Sequence, residues 1–348
     1  MKTWFDRGRL GAKVTARYVK TIGLKTNQPR GRGFLYPYDV AFASDGQIYA
    51  LNRGRVSQGL GTRIQMFTYD EEWLGEFGEG KGTGPSNFQL PVSMAFNSKD
   101  LLHISDEGLG EIKIFDRVGN PVAQLGKDRV EGGSLKAPTG LAIDSDDNLY
   151  VVERDSNRVH KLTPDGETIL TWGEEGDGKG QFDMPWGVAI DSEGFVYVAD
   201  WRNDRIQKFT PEGEFCASFG ESGTGEGQFH RPSSVAVDAR GTIYITDWGN
   251  ERVQVLGPDG EFKQMLRGEA TLSKWAEQWL DVNRDELSAR NGSDLRIEHL
   301  PQHLRTPYQI GAQTEHLFWG PVSAKLDGEH RLYVSEHSRA RIQIYATN

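Results

Sequence analysis

Apolar residues along this chain alternate with polar ones over runs of only five or six positions. Between the runs stand Gly, Asp, Asn, Ser and Pro. In the stretch that begins at Pro185, "GVAID", "FVYVAD", "RIQKF" and "EFCASFG" are separated by "SEG", "WRND" and "TPEG". β-branched and aromatic runs with turn chemistry at each joint predict four short antiparallel strands. The group then recurs. A Pro opens an apolar run at Pro37, Pro91, Pro138, Pro185, Pro232 and Pro321, spaced 54, 47, 47, 47 and 89 residues apart. Six copies of a four-stranded unit with a basic period of 47 predict an all-β, six-bladed β-propeller; the coils of a parallel β-helix are much shorter than this period.

The two ends of the chain fit a closed ring. The sixth copy, "PVSAKLDGEHRLYVSE…RIQIYATN", stops one strand short, whereas "RYVKTIGLKT" near the N-terminus reads like the fourth strand of the other copies. Residues 15–23 are therefore expected as the outer strand of the last blade, which spans 321–346, with blades 1 to 5 over 37–267 and the whole of 1–348 as one propeller domain. Closure of this kind leaves no unpaired edge for another chain to extend.

Residues 268–318 depart from the repeat. Leu272, Trp275, Ala276, Trp279 and Leu280 recur at helical spacing, and "DVNRDELSARN" predicts a second short helix ending at Asn291-Gly292. A helical insert thus lies between blades 5 and 6. Its apolar stripe needs a cover, and two are open: the mouth of the propeller, as a lid, or a second copy of the chain, as a homo-oligomer contact.

Composition narrows the partners. A formal charge of −10 and a single cysteine, Cys216, argue against nucleic acid, an intrachain disulfide and a Cys-rich metal site. The N-terminus shows no apolar run of secretory length, and nowhere do 18 apolar residues follow one another, so a soluble cytoplasmic protein with no membrane partner is expected. The segments "GEEGDGKGQF" and "GESGTGEGQF" look like phosphate cradles, but each leads into Pro and a strand rather than a helix N-terminus, which makes them blade connections.

Within the repeated frame, two positions change from copy to copy. The residue after each opening Pro is Tyr38, Val92, Thr139, Trp186, Ser233 and Val322. The residue after each strand-end polar group is Arg53, Glu107, Arg154, Trp201, Trp248 and His337. Both sets fall on one face of an up-and-down propeller, so each blade would present one unlike group to a shared central pocket. Tyr38, Glu107 and His337 are the candidates for proton transfer. Arg53 and Arg154 would hold an anionic group, with Trp186, Trp201, Trp248 and Ser233 completing a ligand site. The tryptophans have a second reading as packing wedges between blades. The strand-end set Asn52, Asp106, Glu153, Asp200, Asp247 and Glu336 has two readings also, a ring that binds metal or caps on the following turns; capping, with Arg158, Arg205, Arg252 or Arg341 as partners, is what Asp at a strand end ordinarily does.

The frame Pro-x-x-Val-Ala-Val-Asp, Gly-x-x-Tyr-Val-x-Asp, Asn-x-Arg-Ile-x-x-Phe resembles the NHL repeat over nearly the whole chain outside the insert. The resemblance implies the six-bladed propeller. For activity it implies a range: peptidyl-hydroxyglycine amidating lyases, other lyases and hydrolases, and protein- or RNA-binding modules. The amidating lyases carry zinc on His residues after the opening Pro. None of the six such positions here is His, so neither a zinc site of that kind nor any other cofactor is expected, although His230 and His337 fall on the same face. The resulting expectation is a small-molecule ligand on the variable face, with a lyase or hydrolase reaction, or alternatively a non-catalytic protein-interaction module using that face.

Overall fold

The computed structural model describes residues 15–28, 30–55, 61–126, 134–293 and 300–347. Six four-stranded antiparallel sheets stand around one axis. Blade 4 shows the plan. Pro185–Ile190 lies innermost, followed outward by Val196–Asp200, Arg205–Phe209 and Phe215–Phe219. The sixth blade consists of Pro321–Leu326, Arg331–Glu336, Arg341–Thr347 and, outermost, Ala16–Ile22 from the other end of the chain. Tyr18 pairs with Tyr345 and Ile22 with Ile342, so the predicted closure by an N-terminal strand is present.

Second strands are buried along their entire length, as in Val196–Asp200 and Ile243–Asp247, because a sheet sits on each side of them. Outer strands face solvent along much of their length, as in Pro121–Leu125, and Phe215–Phe219 turns Cys216 to solvent. The core is a set of apolar layers between adjacent blades, for example Tyr197, Ala199, Phe229, Val235 and Ile245 between blades 4 and 5.

The strand-end polar groups are caps. In each blade the side chain accepts a hydrogen bond from the backbone N–H seventeen residues upstream: Asn52 from Leu35 (3.0 Å), Asp106 from Gln89 (2.7 Å), Glu153 from Lys136 (2.8 Å), Asp200 from Asp183 (2.9 Å), Asp247 from His230 (2.7 Å) and Glu336 from Trp319 (3.0 Å). Each cap ties a blade's second strand to the connection that leads into its own inner strand. Arg205, Arg252 and Arg341 complete the bond network at 2.9, 2.6 and 2.6 Å. Arg158 does not; Glu153 pairs instead with His160 at 3.0 Å. Among the described residues no three His, Cys, Asp or Glu side chains are grouped closely enough to hold a metal ion, and no helix is long and apolar enough to cross a membrane.

The insert contains α1 (Lys274–Val282), α2 (Arg284–Asn291) and α3 (Pro307–Gln313). Much of the stripe on α1 is covered by the chain's own ring seam rather than by the mouth. Trp275, fully buried, enters the apolar layer between blades 6 and 1, 5.5 Å from the rings of both Phe34 and Phe67, and its Nε1–H donates to the Glu71 carbonyl at 2.6 Å. Ser273, the N-cap of α1, donates to the Gly23 carbonyl just beyond the closing strand at 2.5 Å. Trp279 remains 40% exposed. The helix therefore staples the one place where the ring is closed by chain ends, while α3 lies beside the blade 5 turn Trp248–Asn250.

Candidate functional site

Inner strands start on the face that also carries the turns after the second strands, and the variable residues assemble there. His337 meets the Tyr38 ring edge-on at 6.0 Å. Tyr38 lies under the Arg53 guanidinium, 4.6 Å from centroid to Cζ. Arg53 pairs with Glu107, and the other oxygen of Glu107 accepts from Arg154 at 2.6 Å. Arg154 stands 5.8 Å from the Trp186 ring, Trp186 is 6.4 Å from Trp201, and Trp201 is 6.3 Å from Trp248. Eight side chains drawn from all six blades thus form one unbroken arc of contacts.

Ser233 is elsewhere. Buried on the axis, it shares a 3.0 Å hydrogen bond with Thr246 and donates to the Val322 carbonyl at 3.0 Å. It lines the axial cavity together with Tyr38, Trp186 and Lys325, and that cavity holds only ≈ 20 Å³, about one water. The third position of each inner strand explains the closure. These positions are Asp39, Ser93, Gly140, Gly187, Ser234 and Ser323. A Cβ on Gly140 would stand 2.6 Å from the Trp186 carbonyl oxygen, and one on Gly187 2.7 Å from that of Ser233, so inner strands approach too closely there for any side chain. On the opposite side Asp39 fills the axis, accepting from Ser93 (2.8 Å), Ser323 (2.5 Å) and the Met94 N–H (2.8 Å), with Lys325 at 3.4 Å. On this face the axis is therefore closed to anything larger than about one water, and the variable side chains form a rim around it.

Two titratable groups flank the open end of the arc. The His337 Nδ1 stands 3.3 Å from the Gly320 carbonyl and 3.2 Å from the Ser338 hydroxyl, which also lies 3.5 Å from Nε2. Burial holds this imidazole below its ordinary pKa, and the Arg53 charge acts in the same direction. The N–H of the same residue, Gly320, donates to Glu251 at 2.5 Å. Burial, with a contribution from Glu336, pushes the Glu251 carboxyl up to about 7.

Three rim groups escaped the sequence reading. Arg231 lies over the Trp201 ring at 4.6 Å, Tyr36 stands 6.0 Å from His337, and Trp319 packs against Tyr308 of α3 at 5.7 Å. Arg231 and Tyr36 directly precede an opening Pro. Comparing copies at that position gives Tyr36, Leu90, Ala137, Met184, Arg231 and Gly320, the same kind of variation that revealed the other rim residues. Trp319 stands one position earlier, where the other copies read Leu35, Gln89, Lys136, Asp183 and His230, so it too varies from blade to blade.

The repeat and the rim define a six-bladed β-propeller whose unlike residues converge on one face. Residues 182–209 and 229–256, most of blades 4 and 5, match the NHL repeat, so the chain is a propeller carrying NHL repeats. No curated protein matches it. Among solved structures, a streptogramin B lyase superimposes with a TM-score of 0.54 at 11% identity, over 96% of this chain and 98% of that one. A catalytically inactive variant of virginiamycin B lyase from Staphylococcus aureus, solved with quinupristin, gives 0.54 at 14% identity over 94% and 99%. A protein of unknown function from Bacteroides thetaiotaomicron gives 0.59 at 15% identity over 96% and 76%. At these identities the likeness is one of fold.

Proposed function

We propose that the protein binds a small organic molecule across its variable rim and acts on it as a lyase or hydrolase. The observation that carries this reading is the unbroken arc from His337 to Trp248, to which every blade contributes and in which five side-chain types meet. A packing wedge that the fold needed would recur in every copy; the position held by Trp201 and Trp248 reads Arg53, Glu107, Arg154 and His337 in the other four blades. The tryptophans supply apolar faces for a ring or an aliphatic body. A neutral imidazole keeps one nitrogen lone pair and is suited to accept a proton from bound substrate, and Tyr38 beside it would polarise or protonate a leaving group. Two lyases share the propeller fold, and the activity is proposed here on the rim residues of this chain, not on that likeness.

The test is a metabolite panel screened by thermal shift, since a ligand that binds only the folded state raises the melting temperature. Hits should be lost or weakened tenfold or more in Trp201→Ala, and turnover of any hit should fall at least as much in His337→Gln. A second reading, a protein-interaction face, draws on the narrow axis of ≈ 20 Å³ and on the concentration of Trp, Tyr and Arg at the rim, the residue types that dominate protein-binding hot spots. If no small molecule shifts the wild type while a protein is captured in a Trp201-dependent manner, this second reading replaces the first.

A further inference from the structure

Three arginines along the arc, Arg53, Arg154 and Arg231, stand in two distinct states. Arg53 and Arg154 share Glu107, and Arg154 also reaches Asp155 at 2.8 Å, so their charge is met inside the protein. Arg231 is different. Its guanidinium carbon stands 4.6 Å from the centre of the Trp201 ring, the side chain is exposed, and among the described residues no carboxylate pairs with it.

The backbone that carries Arg231 is built rather than loose. The residue holds a left-handed φ of 56°, is followed by Pro232, and its N–H donates to Asp204 at 2.7 Å. Blade 4 uses the same device at Met184, with φ 52° and an N–H bonded to Asn157 at 2.7 Å. The position is therefore fixed by the repeat frame, and only the side chain is particular to blade 5. A guanidinium held over an indole face by cation–π attraction spends none of its N–H donors on that contact, and a pair of them matches the two oxygens of a carboxylate. Trp201 is flanked by Trp186 and Trp248 at 6.4 and 6.3 Å, so an apolar ring of a bound molecule meets indole on either side of that contact.

Resting on the reading of the rim as a small-molecule site, we infer that Arg231 is its anion anchor and that the ligand is an aromatic monocarboxylate, with Trp201 and Trp248 receiving its ring. Arg53 and Arg154, which the sequence pattern singles out as anion holders, serve instead to position Glu107. A monoanion suits the one guanidinium that stands over the Trp201 ring. A ligand with a cationic head would be repelled by it.

The probe pair is 2-naphthoate and its uncharged analogue 2-naphthamide, titrated calorimetrically against the full-length protein. The wild type should bind naphthoate at least tenfold more tightly than naphthamide. In Arg231→Gln this preference should vanish through loss of naphthoate affinity alone, with naphthamide binding and the melting temperature unchanged, a combination that a merely structural role for Arg231 would not produce. Arg154→Gln should change the preference less than threefold. Loss of the preference in Arg154→Gln but not in Arg231→Gln overturns the assignment and returns the anion to the Glu107 pair. If naphthoate does not bind but other members of the metabolite panel do, the aromatic-carboxylate class is wrong and the rim reading stands. If nothing in the panel binds, both fall.

Discussion

Asp200 and Trp201 are neighbours in sequence and belong to different machines. Asp200 is fully buried and bonds to a backbone N–H, to Asn203, to Arg205 and to Gln207. Trp201 is half-buried and touches Trp186, Trp248 and Arg231, all of them rim groups. The same division holds around the ring. Residues that recur in each copy bond to backbone of their own blade, and residues that vary bond to one another across blades. A frame residue meets the same environment six times and is held to one chemistry; a rim residue meets an environment composed of other variable residues and is held to none by folding.

The largest effect should come from breaking the frame where it is least redundant, at the seam. Deleting the first 25 residues removes the outer strand of blade 6 and the Gly23 carbonyl that receives Ser273. It should abolish the single cooperative melting transition, because an unpaired edge replaces a full ladder; an unchanged transition would show that the ring is closed by other means. Trp275→Ala strikes the same seam from the insert. A fully buried indole lost from an aromatic layer costs about 3–5 kcal/mol, measurable by denaturant unfolding. A loss under about 1 kcal/mol would mean that the helix only rests on the surface.

A smaller effect sharpens the comparison at its boundary, where Gly320 joins a frame residue to a rim residue. The Glu251 carboxyl is pushed up to about 7 in the folded protein against an ordinary 4.5, so between these values the native state binds more protons than the unfolded one. Stability contributed by this group should fall as pH rises from about 4.5 to 7 and then level off, by on the order of 2–3 kcal/mol. Glu251→Gln should flatten that slope. His337, whose pKa is lowered by burial, has the opposite sign: its contribution is complete above about 6.5 and is lost as pH falls. His337→Gln should therefore protect on the acid side. Melting temperatures of the two variants across pH 4.5–8 separate the contributions, and parallel curves for wild type and Glu251→Gln would remove Glu251 from the account.

How much of this was legible in the chain follows from the same division. A 47-residue period displays the frame six times, so the strands, the closing strand and the capping role of Asp200 or Asp247 can be read by superimposing copies. The rim residues Tyr38, Arg53, Glu107, Arg154, Trp186, Trp201, Trp248 and His337 were visible as deviations from the frame, and the structure brings them together. Repetition does not disclose what a deviation touches. Nothing in the spacing says that Glu107 neutralises two arginines, or that Asp39 and two glycines close the axis. Nor does the stripe of α1 say which surface covers it, because an insert present once has no copy against which to compare Trp275. Arg231 was within reach, and it was missed because a residue before proline reads as a linker rather than as a position held at positive φ.

The smallest expected effects are on stability at the rim. Arg231→Gln and Trp248→Ala should each leave the unfolding free energy within about 1 kcal/mol of wild type, since both side chains lie outside the buried frame. The most direct test of the division itself is the adjacent pair in blade 4, followed by denaturant unfolding of Asp200→Ala and Trp201→Ala side by side. Removing Asp200 strips Arg205 of its carboxylate and a buried N–H of its acceptor, and should cost about 3–5 kcal/mol. Removing Trp201 should cost about 1 kcal/mol or less while abolishing the thermal shift given by any rim ligand. Equal losses from the two substitutions would contradict the account, because Trp201 would then be a packing wedge and the variable rim another part of the fold.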